Sequence, residues 1–263
     1  MVINQNKEYK YGYNSITELE GKHSDMKMDM GIIRLKKDYI YENAEPKERA
    51  ILLIKGHVMF QWDGQKEIVK RDSCFNENPI CIHLPKDKKV VIIGLAESEL
   101  CYEAVYNDNV FDSKLYNKED CVSDVFGKDT LNDASIRTVR TIIDDDIAPY
   151  SNLVMGEVVN HPGKWSSYPP HYHIQPEVYH YRFLPDTGFG FSLVGDKASK
   201  VKNKSTSCIT SNVVHPQCSA PGYAMYYVWM IPHIEEKRWL KDRTFENQHQ
   251  WLLNKNAKIW SQK

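Results

Sequence analysis

The sequence is short of the features that assign a protein quickly, and each absence removes a class. It has no run of about 18 apolar residues, so no helix is predicted to cross a bilayer. Its start, MVINQNKEYKYGYNS, lacks the apolar centre of a secretory signal, and a cytoplasmic location is expected. The six cysteines, Cys74, Cys81, Cys101, Cys121, Cys208 and Cys218, include no C-x-x-C pair. That pattern reads as free thiols in a reducing compartment rather than a disulfide frame. An excess of one charge is missing too. With a net charge of −1, no long-range field favours nucleic acid or an anionic membrane. Nor is there a helix-turn-helix or basic stretch, which argues against a transcriptional regulator.

What is present is β-patterned. Sixteen tyrosines and six tryptophans suit pleated, half-buried surfaces. Gly31 to Leu35 reads as a strand, preceded by an irregular lead-in and an edge strand in the alternating stretch from Met26 to Met30. Ile51 to Asp63 followed by Gly64 is a hairpin signal, with Gln65 to Lys70 returning as the partner. Ile80 to Leu84, Val90 to Leu95 and Leu100 to Val105 follow at the spacing of a sandwich or barrel. Between Tyr106 and Asn132 charges and turn formers dominate, so a domain boundary is placed there, giving units 1–115 and 116–263. Strand character resumes at Ile136 to Ile143, and the acidic Asp144 to Asp146 reads as a solvated loop. Tyr223 to Ile231 is apolar enough to be buried on both faces. The polar tail beyond Glu235, with Trp239, Trp251 and Trp260, fits either a packed extension or a short helix. The expected fold is all-β, with two β-sandwich or jelly-roll barrel domains.

The most informative stretch is WSSYPPHYHIQPEVYHYR, Trp165 to Arg182. His171 and His173 are one residue apart, so on a strand both imidazoles share a face about 6–7 Å apart and can share one metal ion. Glu177 has the same parity, but along a straight strand it would lie about 13 Å from His173. The chain must turn between them, and Gln175-Pro176 is a suitable place. Glu177 then opens the next strand and reaches back. His215, beside Pro216, is the fourth candidate ligand. Cys208 and Cys218 flank it, but the nitrogen and oxygen donors suffice and both thiols read as buried small residues. His57, His83, His161, His233 and His249 stand apart from any ligand spacing. The first half has no His-x-His and offers no equivalent site.

Two histidines, a carboxylate and a distant histidine resemble the paired motifs of the cupin superfamily, and the strand rhythm with an inert first half looks like a bicupin. The likeness goes further. WSSYPPHYH, EVYHYRF, GFGF, HP and APGYAMYYVWM, with LLIKGHVMFQWDG and RDSCFNENPICIHLP in the first half, are similar to the 5-deoxy-glucuronate isomerase family of myo-inositol catabolism. The resemblance covers about residues 30–255. It implies a metal-dependent aldose–ketose isomerisation of 5-deoxy-glucuronate to 5-dehydro-2-deoxy-gluconate, with zinc or manganese as the divalent ion and a small sugar acid as substrate.

Such a reaction moves a proton between C1 and C2 through an enediol and needs a base within hydrogen-bond reach. Glu177 is the only carboxylate in the stretch, and Tyr179 and Tyr181 share its face. These three are the candidate catalytic residues. Tyr168, Lys164 and Arg140 are candidates for binding the substrate carboxylate. Two other classes compete: an iron-dependent cupin dioxygenase, and a sugar-binding cupin without turnover. An exposed β-edge near residues 26–35 is expected to offer a homodimer contact.

Overall fold

In the computed structural model, which describes residues 1–234 and 237–260, the strand Glu48–Trp62 turns at Asp63-Gly64 into Gln65–Arg71. Trp62 pairs with Gln65, so the loop has two residues, with φ of 44° and 77°. This mirror-image turn matches strand twist, and Asp-Gly adopts it at low cost. Glu48–Trp62 serves both parts of a nine-stranded sheet. Its first half pairs with Cys81–Leu84 and Ser98–Val105, its second with Gln65–Arg71 and Val90–Gly94. The register shifts between Leu53 and Lys55, and Gly56 follows with φ of 127°. A Cβ there would meet Ser98 Oγ at 2.2 Å, so the bend requires glycine. The sheet curls around an apolar interior that includes Ile33, Leu35, Ile51, Leu53, Phe60 and Tyr102.

The second barrel has a seven-stranded sheet centred on Glu177–Leu184, Ala224–Pro232 and Leu153–Asn160, opposed by a four-stranded sheet. Between them lie Val154, Tyr179, Tyr181, Phe183, Tyr227 and Ile231. The fold is therefore all-β with two barrels. Lys114–Tyr116 pairs within the first sheet and Val122–Phe126 within the second. The start of the chain crosses over: Val2–Ile3 pairs with Ser207 and Thr206.

Alternation assigns the two faces of the first sheet. Ile51 and Leu53 point into the barrel, whereas Ala50, Leu52 and Ile54 point outward and pack with Met155, Val178, Tyr226, Val228 and Met230 of the second sheet. The barrels thus stand back to back, and buried polar links cross between them. Arg71 binds Glu157 through two hydrogen bonds of 2.6 and 2.8 Å, Arg182 binds Glu99 at 3.0 Å, and Ser151 and the Asn152 backbone donate to Glu48.

Three expectations are corrected. The stretch near residues 26–35 is no exposed edge: Asp29–Leu35 lies between Gly12–Thr17 and Ser98–Val105, so its backbone groups are paired on both sides. The segment from Tyr106 to Asn132 holds two strands, of which Val122–Phe126 is exposed along its length and so carries no apolar periodicity. The acidic loop is not simply solvated. Asp144 is buried, and the loop anchors the tail through Arg238 to Asp145 and Lys241 to Asp144 and Asp146.

Candidate metal centre

His171–Tyr172 is a two-residue strand, the chain bends through Ile174 to Pro176, and Glu177 begins the next strand. The bend brings His173, Glu177 and His215 together, their ligand atoms all within 4.8 Å of one another. The Nε2 atoms of His173 and His215 lie 3.3 and 3.1 Å from the same oxygen, Glu177 Oε2. Neighbouring donors on one ion, with bonds of about 2.0–2.1 Å at tetrahedral angles, sit about 3.3 Å apart, so the spacing fits a shared metal.

The hydrogen bonds around the imidazoles agree. His215 Nδ1 lies 2.8 Å from Val213 O and must donate to it. With Nδ1 so engaged, Nε2 is the atom that faces Glu177 Oε2, offering a metal ion a lone pair in the neutral ring and donating to the carboxylate in the protonated one. His171 Nδ1 likewise donates to Pro169 O at 2.8 Å, leaving Nε2 as a lone pair on the same cavity. Its ring is 5.5 Å from that of His215, outside the compact trio. Burial and the neighbouring His215 push the His171 pKa down to about 3, so it stays neutral, the form a metal ligand needs. Burial pushes the Glu177 carboxyl up, but the His173 and His215 imidazoles outweigh it and hold it at about 2.

The cavity, about 120 Å³, is lined by the seven-stranded sheet of the second barrel and by the segments that carry Ser167, His171, His173, His215, Trp239 and Arg243. Tyr179 lines it and donates to Glu177 Oε2 at 3.1 Å, while Ser167 lies 3.0 Å from the Tyr179 hydroxyl. Burial, with the Glu177 charge, pushes the Tyr179 pKa well above its usual range, so it remains a donor. Val139, Val158, Trp229, Ile231 and Trp239 form the apolar wall.

Of the remaining candidates, Tyr181 shares the parity of Glu177 and Tyr179, yet its hydroxyl donates to Gln217 at 2.5 Å and lies 3.0 Å from Ser207 Oγ, deeper in the core. Tyr168 packs on Trp165, outside the lining, and Lys164 is likewise off the cavity. Arg140 is turned away. It is buried against Glu157 and donates to the carbonyls of Cys74, Phe75 and Glu77 between the barrels. Cys208 and Cys218 stay outside the ligand group.

Two cations that line the cavity escaped the reading from sequence: Arg137 and Arg243. Strand parity could have found Arg137, because it shares a face with Val139 while Arg140 lies on the other. Arg243 and Trp239 gave no local signal. They belong to the tail, whose strand Thr244–Phe245 pairs with His171–Tyr172.

The chain and its fold have counterparts. A 5-deoxy-glucuronate isomerase of Bacillus licheniformis is 26% identical over 95% of this chain and 97% of its own. The crystal structure of an IolB-like protein from Salmonella typhimurium LT2 superposes with a TM-score of 0.86 at 20% identity, covering 96% of this chain and 99% of that one. An oxalate decarboxylase of Bacillus subtilis shares the fold, with a TM-score of 0.62 at 12% identity over 94% of this chain and 80% of its own. Residues 2–252 match the KduI/IolB family, and the chain belongs to that family.

Proposed function

We propose that this protein isomerises 5-deoxy-glucuronate to 5-dehydro-2-deoxy-gluconate with a divalent metal ion held by His173, Glu177 and His215, and with His171 as a further nitrogen donor. The observation that carries the reading is the convergence of two imidazole Nε2 atoms on one Glu177 oxygen inside a partly apolar cavity. The relatives named as 5-deoxy-glucuronate isomerases cover nearly the whole chain and supply the substrate class. Mixed imidazole and carboxylate donors suit zinc or manganese, zinc being the first choice. When bound, the ion polarises the carbonyl and the adjacent hydroxyl of the sugar and so acidifies the C2 proton.

The chain's own residues supply the rest. Glu177 is the only carboxylate lining the cavity among the described residues, and it carries the proton from C2 to C1. Tyr179 fixes one Glu177 oxygen by donating to it, which leaves the other free to face the sugar. The wall of Trp229, Trp239 and Ile231 keeps water from the enediol. Metal analysis of the purified protein, paired with an isomerase assay, tests the reading. About one ion per chain, lost in a His173→Ala/His215→Ala variant, and conversion of the sugar acid without oxygen uptake are expected. Oxygen consumption, or no metal bound after addition of zinc and manganese, would sink it.

A further inference from the structure

Two arginines line the cavity without an acidic partner among the described residues. Arg137 has one side-chain hydrogen bond among the described residues, to Ser135 O, and its guanidinium lies 5.8 Å from the Phe126 ring. Arg243 has neither a salt bridge nor a side-chain hydrogen bond among the described residues, whereas its neighbour Asp242 is paired with Lys237. Burial and the charge of Arg243 both disfavour the charged form of Arg137, so the two guanidiniums feel one another. Arg137 is partly buried and Arg243 exposed, and an anion lying between the two like charges relieves their repulsion and pairs both. Among the described residues the one carboxylate of the lining, Glu177, is already committed to His173 and His215.

The fold places each arginine for a reason. Arg137 sits on a strand paired with Leu153–Asn160, on the face that turns Val139 and Val158 to the cavity. Arg243 immediately precedes the strand that pairs with His171–Tyr172, so its position is tied to the backbone of a histidine in the site. We propose that Arg137 and Arg243 form a carboxylate clamp, holding the acid end of an open-chain sugar while its carbonyl end faces His173, Glu177 and His215. The cavity then selects monoanionic sugar acids over neutral aldoses, because leaving both guanidiniums unpaired in the complex is unfavourable. This rests on the sugar-acid reading given above and adds the residues that enforce it.

The test uses the full-length, metal-loaded protein and the variants Arg137→Ala, Arg137→Lys and Arg243→Ala, each checked for metal content and circular dichroism. Turnover of 5-deoxy-glucuronate gives KM and kcat. Calorimetric titration with D-glucuronate and with D-glucose measures anion preference without any chemistry. Arg137→Ala should raise KM about 10- to 100-fold with a smaller change in kcat, and remove the preference for glucuronate. Arg137→Lys should recover part of it, and the exposed Arg243→Ala should give a smaller loss that shrinks further in high salt. An unchanged KM and glucuronate affinity in Arg137→Ala overturns the clamp while leaving the isomerase reading intact. Preference for glucuronate that vanishes in Arg137→Ala, in a protein that isomerises nothing, supports the clamp and overturns the isomerase reading. Should Arg137→Ala fail to fold, Arg137→Gln and the surface variant Arg243→Ala decide by the same criteria.

Discussion

At the scale of single residues, the proposed reaction places two demands on Glu177 that pull against each other. As a ligand its charge is drawn toward a cation, which lowers its basicity, yet the reaction needs it to take a proton. Tyr179 reconciles them by occupying the oxygen shared with the imidazoles. Glu177→Gln keeps the shape and one oxygen donor but cannot accept a proton. The variant should retain metal when it is supplied in excess, with kcat lowered about 10²- to 10⁴-fold. Metal analysis beside a rate measurement checks this, and surviving activity would show that another group is the base. The approach of Glu177 to His173 was legible in the sequence because it is local, two positions of like parity joined by one turn at Gln175-Pro176, whereas His215 is brought in from a distant segment and His171 lies outside the compact trio. Arg140 was chosen for its bidentate guanidinium, without applying that parity rule. Counting alternation from Val139, whose side chain lies against the apolar wall, selects Arg137 and excludes Arg140.

Among the elements, the strands and their turns could be read because each depends on neighbours a few positions away. The Asp63-Gly64 hairpin fixed its own register, and the long apolar strand toward Ile231 is buried on both faces as its composition implied. The tail could not be read, since its structure is set by partners far along the chain. Thr244–Phe245 pairs with His171–Tyr172, Phe245 packs on His171 with ring centroids 5.4 Å apart, and Trp239 packs on Trp229 at 5.7 Å. The three tail tryptophans look alike in sequence but differ in environment: Trp239 is 8% exposed, Trp251 52% and Trp260 83%. Trp239→Ala should therefore destabilise by about 3–5 kcal/mol, through lost burial and the cavity left behind. Trp251→Ala and Trp260→Ala should stay within about 0.5 kcal/mol of the parent. Thermal unfolding of the three variants distinguishes them. A Trp239→Ala melting point equal to that of the other two would mean that the tail does not close over the site.

For the molecule as a whole, the contact between barrels is where composition misleads most, because it buries charge as well as hydrocarbon. Arg71, Glu157, Arg140 and Tyr226 form one buried network, with the Tyr226 hydroxyl donating to Glu157 at 2.6 Å. Removing one member leaves an uncompensated charge, so Glu157→Ala should cost about 3–5 kcal/mol in a denaturant titration. Glu103 is the opposite case. It lies on Ser98–Val105, paired with Met30 and Ala50, fully buried, and neither carboxyl oxygen has a protein partner among the described residues. Burial, with a smaller contribution from the Glu48 charge, raises its pKa well above the ordinary 4.5, so the folded protein keeps this group protonated where the unfolded chain releases the proton. The folded state then binds more protons than the unfolded state, and stability falls as pH rises from about 4.5 until the folded-state pKa is passed, by about 1.4 kcal/mol per pH unit from this group. Glu103→Gln is neutral at every pH and nearly the same size. It should melt higher than the parent at pH 8, and the gap should narrow steadily as pH falls toward 4.5. At about 2–4 °C per kcal/mol for a chain of this size, the difference is easily measured. Parallel melting curves across that range would mean that Glu103 ionises in the folded protein, and that the space between the barrels admits enough water to solvate a charge.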